Sequence, residues 1–179
     1  METNRETTNE SMLQNFFKTC LQELYWAETH LVEVLNSMSM AATATQLQEA
    51  FIEHKEETET HKQRLEQVFS QLGIPAQAQP CKGLQGLFDE GWQVIDETEQ
   101  ASSQRDVALI IAAQKVEHYE IASYGSLITL ARTMGLNEIA DLLVPTLEEE
   151  KETDLALTTI AETGINQEAT QVKMNTTQV

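Results

Sequence analysis

Four long stretches of this chain carry apolar residues at alternating steps of three and four, and each breaks that stripe near its middle with a carboxylate or an imidazole. Such a step returns to the same side of an α-helix, so each stretch reads as a helix with one face turned inward. From about Ser11 to Met40 the stripe is Leu13, Phe17, Cys20, Leu24, Glu28, Leu31, Leu35 and Met38, with Asn9 or Ser11 as the N-cap. From about Thr45 to Leu72 it is Leu47, Phe51, His54, Thr58, His61, Leu65, Val68 and Leu72, with Glu57 beside it. From about Arg105 to Met134 it is Ile110, Ala113, Glu117, Glu120, Tyr124, Leu127, Ala131 and Met134. After the break at Gly135, and up to about Thr163, it is Leu136, Ala140, Leu143, Leu147, Glu150, Asp154, Leu157 and Ala161.

With only three prolines and seven glycines, the chain reads as all-α, a four-helix bundle over residues 11–163. Short links join the first helix to the second and the third to the fourth, which makes each pair an antiparallel hairpin. The connection between the second and third is long and carries a shorter amphipathic pattern on Leu84, Leu87, Phe88, Gly91, Val94 and Ile95. It is expected to cross the bundle with one extra helix of its own. Pro145 falls inside the fourth segment, where it either kinks the helix or marks a fresh start. Residues 1–10 and 164–179 are polar and aperiodic and read as flexible termini.

The formal charge of −18, from 29 acidic against 11 basic residues, repels nucleic-acid phosphate and anionic lipid, so neither is an expected partner. No run of apolar residues reaches the length of a membrane span, and METNRETTNES lacks the basic and apolar regions of a secretion signal. A cytoplasmic location is expected. Cys20 and Cys81 are too few for a disulfide framework and lack the paired spacing of a zinc site.

Inward acid groups on all four helices raise an electrostatic problem. Carboxylates brought together as anions repel by several kcal/mol per close pair at an effective dielectric of about 20. Lys55, Lys62, Lys115 and Lys151 lie off the stripes and read as solvated. Two divalent metal ions are the better counter-charge. Side chains three or four apart share a helix face, as do His54 with Glu57, Glu117 with Glu120, and Glu150 with Asp154. The candidate metal ligands are therefore Glu28, His54, Glu57, Glu117, Glu120, Glu150 and Asp154, with His61 as a weaker candidate. Oxygen donors with a few imidazoles and no thiolate favour two iron ions, with manganese as the alternative. The usual bundle recipe places Glu-x-x-His on two helices, whereas this chain has His-x-x-Glu at His54 and no histidine on the fourth helix.

The segments YWAE around Glu28, FIEHKEET around His54 and Glu57, QKVEHYEIASYG, and LEEEKETD resemble the bacterial YciF family, also called the DUF892 ferritin-like stress proteins. The resemblance runs from about Leu13 to Ala161. It implies a ferritin-like four-helix bundle, a homodimer, and a di-metal site related to that of rubrerythrin, with Glu28, His54, Glu57, Glu117, Glu120 and Glu150 at its ligand positions. The function then expected is Fe(II) oxidation, or the handling of O₂ or peroxide during stress. Peroxidase turnover requires a separate electron donor, because the chain has no rubredoxin-type cysteine cluster. A manganese catalase-like activity needs no donor. A non-enzymatic interaction protein, whose buried polar layer fixes helix register, is the remaining alternative.

Overall fold

The structure is a computed structural model described over residues 11–171. It contains α1 (Met12–Ala41), α2 (Thr45–Gln71), α3 (Lys82–Glu97), α4 (Ser103–Thr133), α5 (Asn137–Ile160), a π-helical turn (Ala161–Ile165) and α6 (Asn166–Gln171). No strand occurs among the described residues. α1 pairs with α2 and α4 with α5, the two hairpins face each other through α2–α5 and α1–α4 contacts, and α3 lies across α1 and α4. None of the helices is long and apolar enough to cross a membrane, among the described residues.

The helix ends follow local chemistry. Ser11 caps α1: its hydroxyl accepts from the Gln14 N–H at 3.1 Å, and the Gln14 side chain accepts from the Ser11 N–H at 2.8 Å. Asn9, the other candidate cap, lies outside the described residues. α2 and α4 end on glycines with positive φ, Gly73 at 67° and Gly135 at 76°. There the Ile74 and Leu136 N–H groups reach back to the carbonyls of Phe69 and Ala131.

Two adjacent residues of α4 tie the connections to the bundle. The buried carboxylate of Asp106 accepts from the N–H groups of Thr43, at 2.7 Å, and Ala44, at 2.9 Å, where α2 has no cap of its own. Arg105 donates to the Ile95 carbonyl at 2.8 Å, to the Thr98 hydroxyl at 2.9 Å and to the Thr98 carbonyl, satisfying the free end of α3. Replacing Asp106 with alanine removes the capping acceptor of two backbone donors at a partly exposed corner, and is expected to cost about 1–2 kcal/mol in a urea unfolding experiment. Trp26 of α1 stacks on Phe88 of α3, with centroids 6.0 Å apart, and so serves packing.

Two points extend the sequence reading. Pro145 neither breaks nor restarts α5, which runs through it from Asn137. It lies on the exposed side, as does Asp141, the residue whose carbonyl its missing N–H would have served, so water can satisfy that group. The chain from Gly164, which shows no period, completes the π-helical turn begun at Ala161 and continues as α6. Ala161 and Ile165 are buried there, but α6 itself buries no residue, so it leaves no amphipathic pattern to be read.

Candidate metal centre

Six side chains from four helices converge in the middle of the bundle. α1 brings Glu28, α2 brings His54 and His61, α4 brings Glu117 and Glu120, and α5 brings Glu150. All six are between 0 and 2 % exposed. His61 Nδ1 lies 3.0 Å from Glu150 Oε1 and 3.6 Å from Glu28 Oε2. His54 Nε2 lies 3.4 Å from Glu117 Oε2 and 3.9 Å from Glu150 Oε2. Glu28, His61 and Glu150 form one group of converging donor atoms, and His54, Glu117 and Glu150 form another, each with its atoms within 4.8 Å of one another. Glu150 belongs to both.

Despite this proximity the cluster is not internally satisfied. Among the described residues, the buried side-chain N and O atoms without a hydrogen-bond partner are Glu28 Oε2, His54 Nε2, His61 Nδ1, Glu117 Oε2, both oxygens of Glu120 and both oxygens of Glu150. Every one belongs to the six-residue cluster. Even the 3.0 Å approach of His61 to Glu150 lacks hydrogen-bond alignment. Unpaired polar atoms in a dry interior cost about 1–3 kcal/mol each, and more when charged, so a concentration of them marks a place shaped for something else. A pair of divalent cations fits the donor set: oxygens predominate, two imidazoles face inward, and no thiolate is present.

The outer faces of the histidines are occupied, and their inner nitrogens are turned toward the carboxylates. His61 Nε2 lies 3.0 Å from Glu149 Oε2, and Glu149 is gripped through both oxygens by Arg64, which also donates to the Thr146 hydroxyl at 3.1 Å. Arg64 holds the Glu149 carboxyl below its ordinary range, so Glu149 is an anion that accepts the His61 Nε2 proton and turns Nδ1 toward Glu28 and Glu150. His54 Nδ1 faces Glu57 Oε2 at 3.6 Å and the Thr153 hydroxyl at 3.4 Å, while Nε2 faces inward. Tyr124, fully buried, donates its hydroxyl to Glu28 Oε1.

Without metal, this crowd of acids holds protons. Burial first, then the charges of Glu28, Glu150 and Glu117, push Glu120 well above the carboxylate range. Burial pushes Glu150 up to about 8 against the pull of His61 and His54. For His61, burial lowers the affinity for a proton, but Glu28 and Glu150 outweigh it and raise the pKa to about 10. His54 is raised well above its ordinary value in the same way, chiefly by Glu117 against the burial penalty. Each of these groups binds its proton more tightly in the folded chain than in the unfolded one. The stabilisation from Glu150 is therefore complete below about pH 4.5 and is lost as pH rises through about 8, and that from His61 is lost as pH rises through about 10. The melting temperature of chelator-treated protein should fall steadily from about pH 6 to about pH 9, and metal should bind more tightly over the same range because its ligands must be deprotonated.

The sequence candidates divide accordingly. Glu28, His54, Glu117, Glu120 and Glu150 meet in the cluster, and so does His61, the weaker candidate, beside Glu28 and Glu150. Glu57 lies on the outer side of His54, with its side chain 37 % exposed. Asp154 turns away, accepting from Gln114 Nε2 at 3.1 Å and approaching the exposed His118 Nε2 at 3.3 Å. Tyr119, next to Glu120 in the chain, points away from the cluster to Cys81 Sγ at 3.3 Å. The Arg64–Glu149 pair escaped sequence reasoning, because Arg64 lies off the stripe and Glu149 sits in a charge run that reads as solvated. The spacing of Arg64 one turn beyond His61 was the available signal.

Comparison with known proteins agrees with this architecture. Residues 12–170 match the family described as a domain of unknown function, DUF892. The chain is 42 % identical over 162 residues to the protein YciF of Escherichia coli strain K12, covering 90 % of this chain and 97 % of that one. The crystal structure of the E. coli stress protein YciF superposes with a TM-score of 0.83 at 41 % identity, covering 88 % of this chain and 99 % of that one. YcfI from Rhodopseudomonas palustris, whose description provisionally assigns it a structural role, superposes with a TM-score of 0.81 at 33 % identity, covering 86 % and 97 %. The chain therefore belongs to the DUF892 family and is a relative of the stress protein YciF.

Proposed function

We propose that the six-residue cluster is a dinuclear iron centre and that the protein oxidises Fe(II) or handles O₂ or peroxide under stress. The observation that carries this reading is the confinement, among the described residues, of the unpartnered buried polar atoms to one place, where two groups of donors share Glu150. When bound, paired iron supplies one electron per ion to an oxidant. The chain's own residues hold the rest of the chemistry in place. Glu150 stands between the two donor groups, Glu120 offers two unengaged oxygens, and Tyr124 steadies Glu28. Glu149 and Arg64 orient His61 from behind. Protons held by Glu120, Glu150 and the histidines leave when cations take their place. Repeated reduction of peroxide draws electrons from a donor outside the chain, whereas dismutation draws on none.

The description of E. coli YciF as a stress protein supports this setting, whereas that of the R. palustris relative favours an interaction module in which the polar layer sets helix register. Anaerobic Fe(II) titration followed by O₂ or hydrogen peroxide separates the two. The iron reading expects about two ions per chain and a near-ultraviolet absorption that grows on oxidation; absence of Fe(II) binding favours the interaction module. Peroxide loss measured with and without reductant then distinguishes dismutation from donor-dependent reduction.

A further inference from the structure

The two histidines of the cluster differ in what lies outside them. Behind His61 stands a cation, Arg64, locked to Glu149. Behind His54 lies a surface cavity of about 150 Å³ between α2 and α5, with Glu53, Glu57 and Glu152 among its lining residues and no lysine or arginine. The floor of this cavity is His54, which is only 2 % exposed. Its ring separates two environments: Nδ1 faces Thr153 and Glu57 on the cavity side, and the unpartnered Nε2 faces Glu117 and Glu150 on the inner side.

We propose that this cavity is the capture site and access route by which divalent cations reach the centre, an inference that rests on the metal reading above. Glu53 and Glu152 draw a hydrated cation to the mouth. Glu57, half-exposed and held against Thr153 at 3.5 Å, takes it next to the imidazole. A turn of the His54 side chain then opens the way to Glu117 and Glu150, whose oxygens lie just behind its Nε2. At the opposite end Glu149 is already neutralised by Arg64, which also bonds Thr146, so it offers no free anion to draw a cation in. On this account Glu57 is a transit ligand, which explains a carboxylate with helical ligand spacing that remains outside the buried cluster.

The test is the rate of Co(II) uptake by full-length, metal-free protein, followed by the growth of the ion's visible absorption after rapid mixing at low ionic strength. Glu53→Gln combined with Glu152→Gln should slow uptake roughly tenfold and flatten its salt dependence, with two ions still bound at the end. Glu33→Gln combined with Glu138→Gln removes the same two charges from exposed positions elsewhere and should leave the rate near that of the parent. A narrowing variant, Ala156→Phe at the cavity lining, should slow uptake without altering the final count. If the parent binds two ions and the cavity variants load as fast as the control pair, the access route is wrong and the centre stands. If the parent binds no Co(II) and no Fe(II), both fall together.

Discussion

Replacing Glu150 with glutamine should abolish loading at both metal positions, weakening binding by at least about 100-fold at each, the upper end of what losing a supporting partner alone costs. The expectation follows from Glu150 being the one residue common to both donor groups, with each oxygen directed at a different histidine: Oε1 toward His61 at 3.0 Å and Oε2 toward His54 at 3.9 Å. An amide keeps the shape but removes the charge and one acceptor, so the groups lose their common anion together. Glu148→Gln is the matched control, two residues away on an exposed turn and paired with Lys151. It should bind as the parent does. Equal losses in the two variants, by calorimetric Fe(II) titration under argon, would mean that overall charge and not the buried geometry governs binding.

The second large effect has the opposite sign for stability. Glu120→Leu should make the metal-free protein more stable, by about 1–3 kcal/mol, the order of the penalty for a buried polar group left without a partner. Both Glu120 oxygens are buried and unpartnered, and three other carboxylates press on them. Folding thus forces Glu120 to hold a proton that the unfolded chain releases at neutral pH, and this cost grows as pH rises. The gain from leucine should therefore be larger at pH ~8 than at pH ~6 in urea unfolding with chelator present. In the presence of Fe(II) the ranking should reverse, because the parent gains binding energy that the variant cannot use. A Glu120→Leu protein that is less stable without metal would show that Glu120 is satisfied where it stands.

Much of this site was legible because a bundle seam tolerates few polar interruptions, and Glu28, Glu117, Glu120 and Glu150 each interrupt one. Spacing along a helix was a weaker guide to which shoulder of the face a side chain occupies. At 3.6 residues per turn, His61 lies about 20° around the helix axis from His54, whereas Glu57 lies about 60° away. Two full turns thus kept His61 on the inward line that Glu57 leaves. Asp154 stood one turn beyond an inward glutamate, but Gln114 and His118 on α4 offered it polar partners at the rim. The grip of Arg64 on Glu149 depends on how α2 packs against α5, a contact across 85 residues of sequence that no local period records. The helices themselves were legible where a buried face repeats, and α6 was not, having none.

The most direct measurement is diffraction from crystals of the full chain grown with Fe(II) under argon, using the anomalous signal at the iron edge. Two peaks are expected inside the bundle, one among Glu28, His61 and Glu150 and the other among His54, Glu117 and Glu150. Density for water bonded to those same oxygens, with iron only at surface carboxylates or nowhere, would contradict the account.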